Sequence, residues 1–518
     1  MYERDNCLFM DTSGLRRTDG IEGRADGNYI LKELNSMFPG ERFLSVKVTH
    51  HQGGIYGRRP NLAERIWGSR TLIEGLPEFY EVELVHSTGA HTEELIVWSP
   101  VKWNDRFAGT AGGGTAIGGR SYLTCPDNTS RGWTVPFAVM NGFSSATMNA
   151  NNQKGLRDLT IREDGSLDRE IYENWCYRST HNMTVFGKAI TEILHGRKVR
   201  YSYMNGGSGG GRQSLTEVQR YPEDYDGVWA TCPAINWHQF LLGGFWPIVV
   251  MKKYGHFISP EKNQFFLDAV HEAYGGKEAY YHMQDRPVFD AESLIGTPFR
   301  REMITREDAA VMNAIWNGPR RQNGEFLWYG YYPGVRNWNV TVPIGAYYYP
   351  LFSRKTVKPF ILAEYYARWI LEDSKFSWKD IDQEKLEELY DRGKEKFSDC
   401  FSSDPEIDAF VSHGGKLMMD HGMDDPLIPT EGTIDYYHKL KDRYGTDKVK
   451  DFCRLYITPG DNHGNCWGNG PGLTESDGMR ALVDWVENGK APERIRKVRI
   501  DRKTQETLEE DFQEPYSS

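Results

Sequence analysis

The stretch 199-VRYSYMNGGSGGGRQSLTEVQRYPEDYD-226 decides how the rest of the chain is read. Val199, Tyr201 and Tyr203 are β-formers at alternate positions, so the stretch opens as a strand. It breaks on six small residues, Gly206, Gly207, Ser208, Gly209, Gly210 and Gly211, and resumes as a helix over about Arg212 to Arg220. A strand, a sharp turn carrying one serine, and a helix make the layout of a nucleophile elbow. The glycines would admit strained backbone angles and keep side chains clear of a substrate. The helix would point its free N–H groups and positive dipole end at the turn, where an oxyanion could form. The spacing Gly206-x-Ser208-x-Gly210 also arises by chance in plain tight turns. A phosphate-binding loop fits less well, because no lysine follows the glycines and no acidic residue follows a second strand as a dinucleotide site needs.

Working outward, the chain of 518 residues is long enough for a large catalytic fold with an insertion. A net charge of -11 argues against a general nucleic-acid surface. The 15 Trp and 29 Tyr fit either a large core or a pocket for flat, ring-bearing ligands. The first residues, MYERDNCLFMDTSGLRR, carry charges throughout and no apolar core of a signal peptide. The longest apolar run, Phe240 to Met251, is interrupted by Gly243, Gly244 and Pro247 and is too short to span a membrane. Seven scattered cysteines show neither zinc spacing nor a disulfide frame. These features lead us to expect a cytoplasmic protein. The sequons at Asn128, Asn182 and Asn339 would then be chance matches.

Strands alternate with helices on both sides of the elbow, which predicts an α/β fold with a mainly parallel sheet. The segment 79–100 alternates as a hairpin, Trp133 to Gly142 reads as a buried strand, Asn174 to Leu194 as a helix, and Tyr225 to Asn236 as the next buried strand. From about 237 the alternation stops. Amphipathic helices (Pro359 to Glu372, Glu384 to Phe397) and aromatic loops (Phe326 to Asn339, Ala346 to Phe352) read as an inserted lid. At Gly415 the sheet pattern returns. We therefore divide the chain into an N-terminal extension (1–70), the first part of the core (71–236), the lid (237–407) and the second part of the core (408–518).

In this fold class an acid and then a base follow the nucleophile, each on a loop after a late strand. The strand Gly415 to Met419 runs into HGMDDPLIP, which supplies Asp424 and Asp425. The strand Cys453 to Ile457 runs into PGDNHG, which supplies His463. Asp425 lies 217 residues after Ser208 and 38 before His463. A serine hydroxyl needs a histidine to take its proton, and the histidine needs a carboxylate to hold its tautomer. An Asp before Pro is also a common turn residue, and a loop His is commonly a surface group. Of the two acids Asp425 is favoured. His421 is the weaker alternative base, since it precedes the acid.

Here the residues resemble a known family. GGSGGGRQSLTEVQRYPEDYDG is similar to the elbow of the tannase/feruloyl esterase family, roughly G-C-S-T-G-G-R-Q followed by E-x-Q-R-Y-P-E-D-F-D-G. The resemblance extends to LPEFYEV (76–82), WNDRF (103–107), YRSTHNMTVFGKA (177–189), HGMDDPLIP (421–429) and PGDNHG (459–464). It implies an α/β-hydrolase core with a large lid, acting without a cofactor on carboxylic esters, often of hydroxylated aromatic acids. It further implies Ser208 as nucleophile, Asp425 as acid and His463 as base, with the N–H of Gly209 and a second one from Gly112, Gly113 or Gly114, of which Gly113 is favoured, as the oxyanion hole. The family's cysteines beside the serine and after the histidine, which form a disulfide, are Gly207 and Gly464 here. Tyr80 replaces a third. The lid calcium loop of the family has no counterpart in Val270 to Asp285, so no metal is expected. Trp237, Phe245, Trp246, Trp328, Tyr329 and Tyr331 are candidate lid contacts to a small-molecule ester, though a place in the lid core is the commoner role for each. No nucleic-acid or membrane partner is expected, and a homo-oligomer is compatible with the sequence. The alternatives left open are that the same triad cleaves a lactone, an amide or a carbon–carbon bond, or that the protein binds without catalysing.

Overall fold

In the computed structural model the described residues are 8–59, 61, 72–124, 134–150, 161–162, 164–337, 359–464, 468–501, 504 and 506–517. The loop 346–352 and the sequons at Asn128 and Asn339 lie outside them.

Nine strands form the main sheet: β1 (Arg42–His51), β2 (Phe79–Ser87), β3 (Thr92–Pro100), β4 (Arg106–Thr110), β5 (Ser144–Asn149), β6 (Tyr201–Gly207), β7 (Gly227–Thr231), β8 (Lys416–Gly422) and β9 (Cys453–Thr458). Their order is β1-β2-β3-β5-β4-β6-β7-β8-β9. The pairs from β5 to β9 are parallel, and the three pairs that lead into them are antiparallel. The parallel strands β5 to β9 are buried along nearly their whole length, as strands with helices over both faces must be. The fold is that of an α/β-hydrolase, with the insertion between β7 and β8.

One sequence reading needs correction. The run Trp133 to Gly142 is not a strand: Val135–Met140 is a short helix with Pro136 in its first turn, and the strand is β5 just after it. A buried apolar run of this length fits either element, and the proline at the helix start settles it. Within 1–70, the described residues 8–59 include elements that pack on the core. β1 pairs along its length with β2, and the helix α1 (Gly27–Met37) turns Ile30 and Leu34 into the core under the sheet. A C-terminal hairpin, Ile495–Ile500 with Thr507–Gln513, also went unread.

Two helices set the site. α2 (Ser179–His195) is preceded by a π-helical turn, Asn174–Arg178. Such a turn displaces carbonyls from the regular ladder. The guanidinium of Arg212, itself buried, donates to two of them, Cys176 O at 2.7 Å and Trp175 O at 3.0 Å, and lies over the Trp175 ring. α3 (Gly209–Arg220) follows the elbow and begins three residues earlier than the sequence suggested. In the lid, Trp237, Phe245, Trp246 and Trp328 belong to one buried apolar cluster with the lid helices.

Candidate active site

Ser208 joins β6 to α3 at φ 59, ψ −122, a conformation that side chains rarely adopt. It is held there by its surroundings. Its N–H donates to Thr231 O at 2.9 Å, and its carbonyl accepts from the N–H groups of Arg212 (3.1 Å) and Ala234 (2.9 Å). Within 206–211 only Ser208 has a positive φ. The neighbouring glycines therefore serve close approach rather than strain. A Cβ on Gly209 would stand 2.1 Å from Gly114 O, and one on Gly210 would stand 2.4 Å from Gly112 O. The elbow and the 112–114 loop touch backbone to backbone.

His463 Nε2 lies 2.9 Å from Ser208 Oγ, and its Nδ1 lies 2.8 Å from Asp425 Oδ2. The other carboxylate oxygen of Asp425 accepts the N–H groups of Leu427 (2.8 Å) and Ile428 (3.0 Å). The structure thus brings together the three residues singled out from the sequence, from loops after β6, β8 and β9. Burial would push the Asp425 carboxyl up, but the His463 charge and the hydrogen bonds from His421 and His463 hold it well below the usual range. Burial likewise opposes charge on His463, yet Asp425 raises it well above an ordinary imidazole. The acid and base loops are tied together by backbone. Met423 N–H donates to Thr458 O and Asp424 N–H to Asp461 O, both at 2.9 Å. Asp424 is buried and accepts from Asn469 at 2.5 Å. Burial, with Asp425 and Asp461 close by, pushes its carboxyl up to about 8 despite that bond from Asn469.

The glycine loop differs from expectation. The Gly113 N–H donates to the Tyr122 hydroxyl at 3.0 Å, and the Gly112 N–H to Gln213 Oε1 at 3.1 Å. Gln213 also donates to Ala116 O, so the residue after Arg212 clamps this loop to α3. Gly209 opens α3 and has its N–H at the helix N-terminus, next to Ser208.

His421, weighed as an alternative base, instead donates from Nε2 to Asp425 Oδ2 at 3.0 Å. Cys232, fully buried after β7, went unnoticed. Its Sγ lies within 4.8 Å of ligand atoms of Asp425 and His463. A cation there would have to displace the bonds that already fill the Asp425 carboxylate.

Of the expected lid contacts, Trp246 donates to Ala314 O, Tyr331 to Leu427 O beside the acid loop at 2.6 Å, and Tyr329 to Asp435 at 3.3 Å. Trp237, Phe245, Trp246 and Trp328 are lid core, packed on lid helices. The 270–285 segment does not suit calcium. It offers Glu278 and the imidazole of His282, which bonds Glu509 of the C-terminal hairpin at 2.5 Å, not the six to eight oxygens that ion takes. A cavity of about 740 Å³ lies elsewhere, between Phe9, Met10 and the C-terminal hairpin, and contains none of the three residues. Among the described residues no helix is long and apolar enough to cross a membrane.

A serine on a strand–helix elbow, with its imidazole and carboxylate carried by the two last strands of the sheet, places the chain among the α/β-hydrolases. Within them it belongs to the tannase and feruloyl esterase family, whose profile, described as "Tannase and feruloyl esterase", matches residues 86–511. It is 31% identical over 434 residues to a "Probable feruloyl esterase" of Arthroderma benhamiae, covering 80% of this chain and 76% of that one. It is 27% identical to "Feruloyl esterase B" of Aspergillus niger, covering 76% and 74%. The fold superposes on a crystal structure of an esterase from Aspergillus oryzae with a TM-score of 0.75 at 21% identity, covering 96% of each chain. It superposes on tannin acyl hydrolase from Aspergillus niger with a TM-score of 0.73 at 19% identity, covering 98% and 91%. The protein is a carboxylic-ester hydrolase.

Proposed function

We propose that the protein hydrolyses esters of hydroxylated aromatic acids, of the feruloyl, galloyl or chlorogenate kind, through a Ser208–His463–Asp425 triad and an acyl-enzyme. The observation that carries this reading is the unbroken line from Ser208 Oγ through His463 to Asp425, at 2.9 and 2.8 Å. His463 Nε2 takes the Ser208 proton as Oγ attacks the ester carbonyl. Asp425 holds the Nδ1–H tautomer and stabilises the imidazolium. The tetrahedral oxyanion is met by the Gly209 N–H at the start of α3, where the helix dipole adds to the attraction. The imidazolium then protonates the departing alkoxide. Water, deprotonated by His463, attacks the acyl carbonyl and releases the acid and free Ser208.

The aromatic-acid preference draws on the names of the relatives and on the aromatic-rich lid. A reducing compartment is supported by two features. Cys176, Cys232, Cys400 and Cys453 are buried free thiols, and Gly207 and Gly464 stand where the family carries a disulfide. The sequon residue Asn182 is buried and donates to Glu93 at 2.6 Å, so it offers no site for a glycan.

The test compares wild type with Ser208→Ala on nitrophenyl esters, methyl gallate, methyl ferulate, chlorogenate and a lactone. Wild type should turn over an aromatic ester, with at least about a thousandfold loss in the variant. Turnover of the lactone alone would overturn the aromatic-acid assignment. Undiminished activity in Ser208→Ala would overturn the triad.

A further inference from the structure

Asp425 Oδ2 accepts two imidazole N–H groups, His463 Nδ1 at 2.8 Å and His421 Nε2 at 3.0 Å. The three-residue mechanism uses only the first. His421 lies on β8, one strand away from the base, and both its side chain and that of Asp425 are fully buried. Its other nitrogen, Nδ1, is 2.8 Å from the Thr433 hydroxyl on the helix Glu431–Tyr444. An ionised carboxylate only accepts, so Nε2 carries a proton, and a neutral ring then takes the Thr433 O–H at Nδ1. The ring is thus fixed at both ends. With the Leu427 and Ile428 N–H groups on Oδ1, Asp425 has four donors, of which His463 is one.

We propose that His421 is a positioning residue of the reaction: its Nε2–H shares the Asp425 oxygen that holds His463, and so sets how strongly the carboxylate grips the base. This rests on the reading of Ser208, His463 and Asp425 as a working triad. The titratable and charged groups near His421 are Asp424 and Asp425 on the loop that follows it, Asp420 on its own strand (bonded to Trp229 Nε1 at 2.7 Å), Cys232, whose N–H donates to Asp420 O, and on the base's loop His463 and Asp461, whose carbonyl accepts the Asp424 N–H. Among the described residues the two imidazoles are the side chains that bond to the Asp425 carboxylate, and they share its Oδ2. Removing the His421 donor leaves His463 as the one side-chain donor beside the Leu427 and Ile428 N–H groups. The imidazolium is then better stabilised, and a higher pH is needed to free the base.

The experiment measures the rate at which a fluorophosphonate labels Ser208 from pH 5 to 9, alongside kcat/KM on an aromatic ester. The proteins compared are wild type, His421→Leu and His421→Gln. Leucine deletes the donor, while the glutamine amide can return an N–H to the place of Nε2. In His421→Leu the acid limb should move up by about half a pH unit or more, with KM little changed. His421→Gln should restore the wild-type limb. A Leu limb that coincides with wild type, or a Gln limb displaced as far as Leu, overturns the proposal. If His421→Leu does not fold, His421→Met, which deletes the donor with a more flexible apolar side chain, takes its place, and an unmoved limb there overturns it equally. Should wild type be labelled yet hydrolyse no ester, the substrate assignment fails and His421 is still judged on the labelling curve. Should wild type resist labelling, the triad reading and this inference fall together.

Discussion

The sheet and the lid use buried residues for different ends. At the C-terminal ends of β6, β7, β8 and β9, the buried side chains include a run of polar or titratable ones: Ser208, Cys232, His421, Asp424, Asp425 and Asp461. Each is held by named bonds to backbone or to another ionisable group, or sits beside one. In the lid, the large buried side chains are Trp237, Phe245, Trp246, Trp316, Trp328 and Trp369, which belong to one apolar cluster and meet rings such as Phe240, Phe266 and Phe376. One region spends burial on fixing charge and geometry, the other on holding helices together. Chemistry and lid stability should therefore respond separately to substitution.

The widest separation is expected from Phe245→Ala. Phe245 is fully buried in the lid cluster, so truncation should cost about 3 to 5 kcal/mol of stability. At a temperature where the variant stays folded, the labelling rate of Ser208 by a small fluorophosphonate should be unchanged. A collapse of labelling in a folded variant would show that the lid core positions the triad. Gly209→Ala tests the other side. Its Cβ would meet Gly114 O at 2.1 Å, forcing the elbow and the glycine loop apart. We expect kcat to fall by about 100- to 1000-fold, as for loss of one oxyanion donor, with KM and melting temperature less affected. Equal kcat in the variant would show that the close approach of Gly209 to the glycine loop is not needed for the chemistry. The smallest expected effect lies at Asp424. Its folded pKa of about 8 lies above the unfolded value near 3.8. Between those values the folded protein holds a proton that the unfolded chain has lost. Its contribution to stability is full below about pH 4, declines through the window and is gone above about pH 8. Denaturant melts should show wild type losing about 2 kcal/mol between pH 6 and 8 relative to Asp424→Asn. Parallel curves would mean that Asp424 is ionised in the fold.

The same contrast explains what the sequence disclosed. The elbow, the acid loop and the base loop were legible because each follows a strand at once, and because strand alternation and glycine runs are local signals. Distant partners were not legible. That Gly113 gives its N–H to Tyr122, that Gln213 clamps Gly112, and that Arg212 satisfies a π-turn in the preceding helix are all contacts across the chain. β1 was missed as sheet because its partner β2 starts nearly thirty residues later, with its alternation clearest only once paired. The lid's aromatics looked like ligand contacts because a tryptophan facing a core and one facing a cleft are written alike. His421 was ranked by chain order as a spare base, and only the fold reveals that it points at the acid.

The place of the lid in the chain also governs when the enzyme can first exist. The strand that carries Ser208 and its neighbour β7 are complete before the insertion begins, while β8 and β9 come only after it. During synthesis from the N-terminus, the nucleophile therefore emerges on a half-built sheet with an open edge at β7, and the acid and base arrive 217 and more residues later. That edge must stay unpaired, or be shielded, while the lid is made, which is the kind of long-range pairing that slows folding and invites association between chains. A ribosome-bound fragment ending within the lid carries the serine in its elbow sequence and no means to activate it.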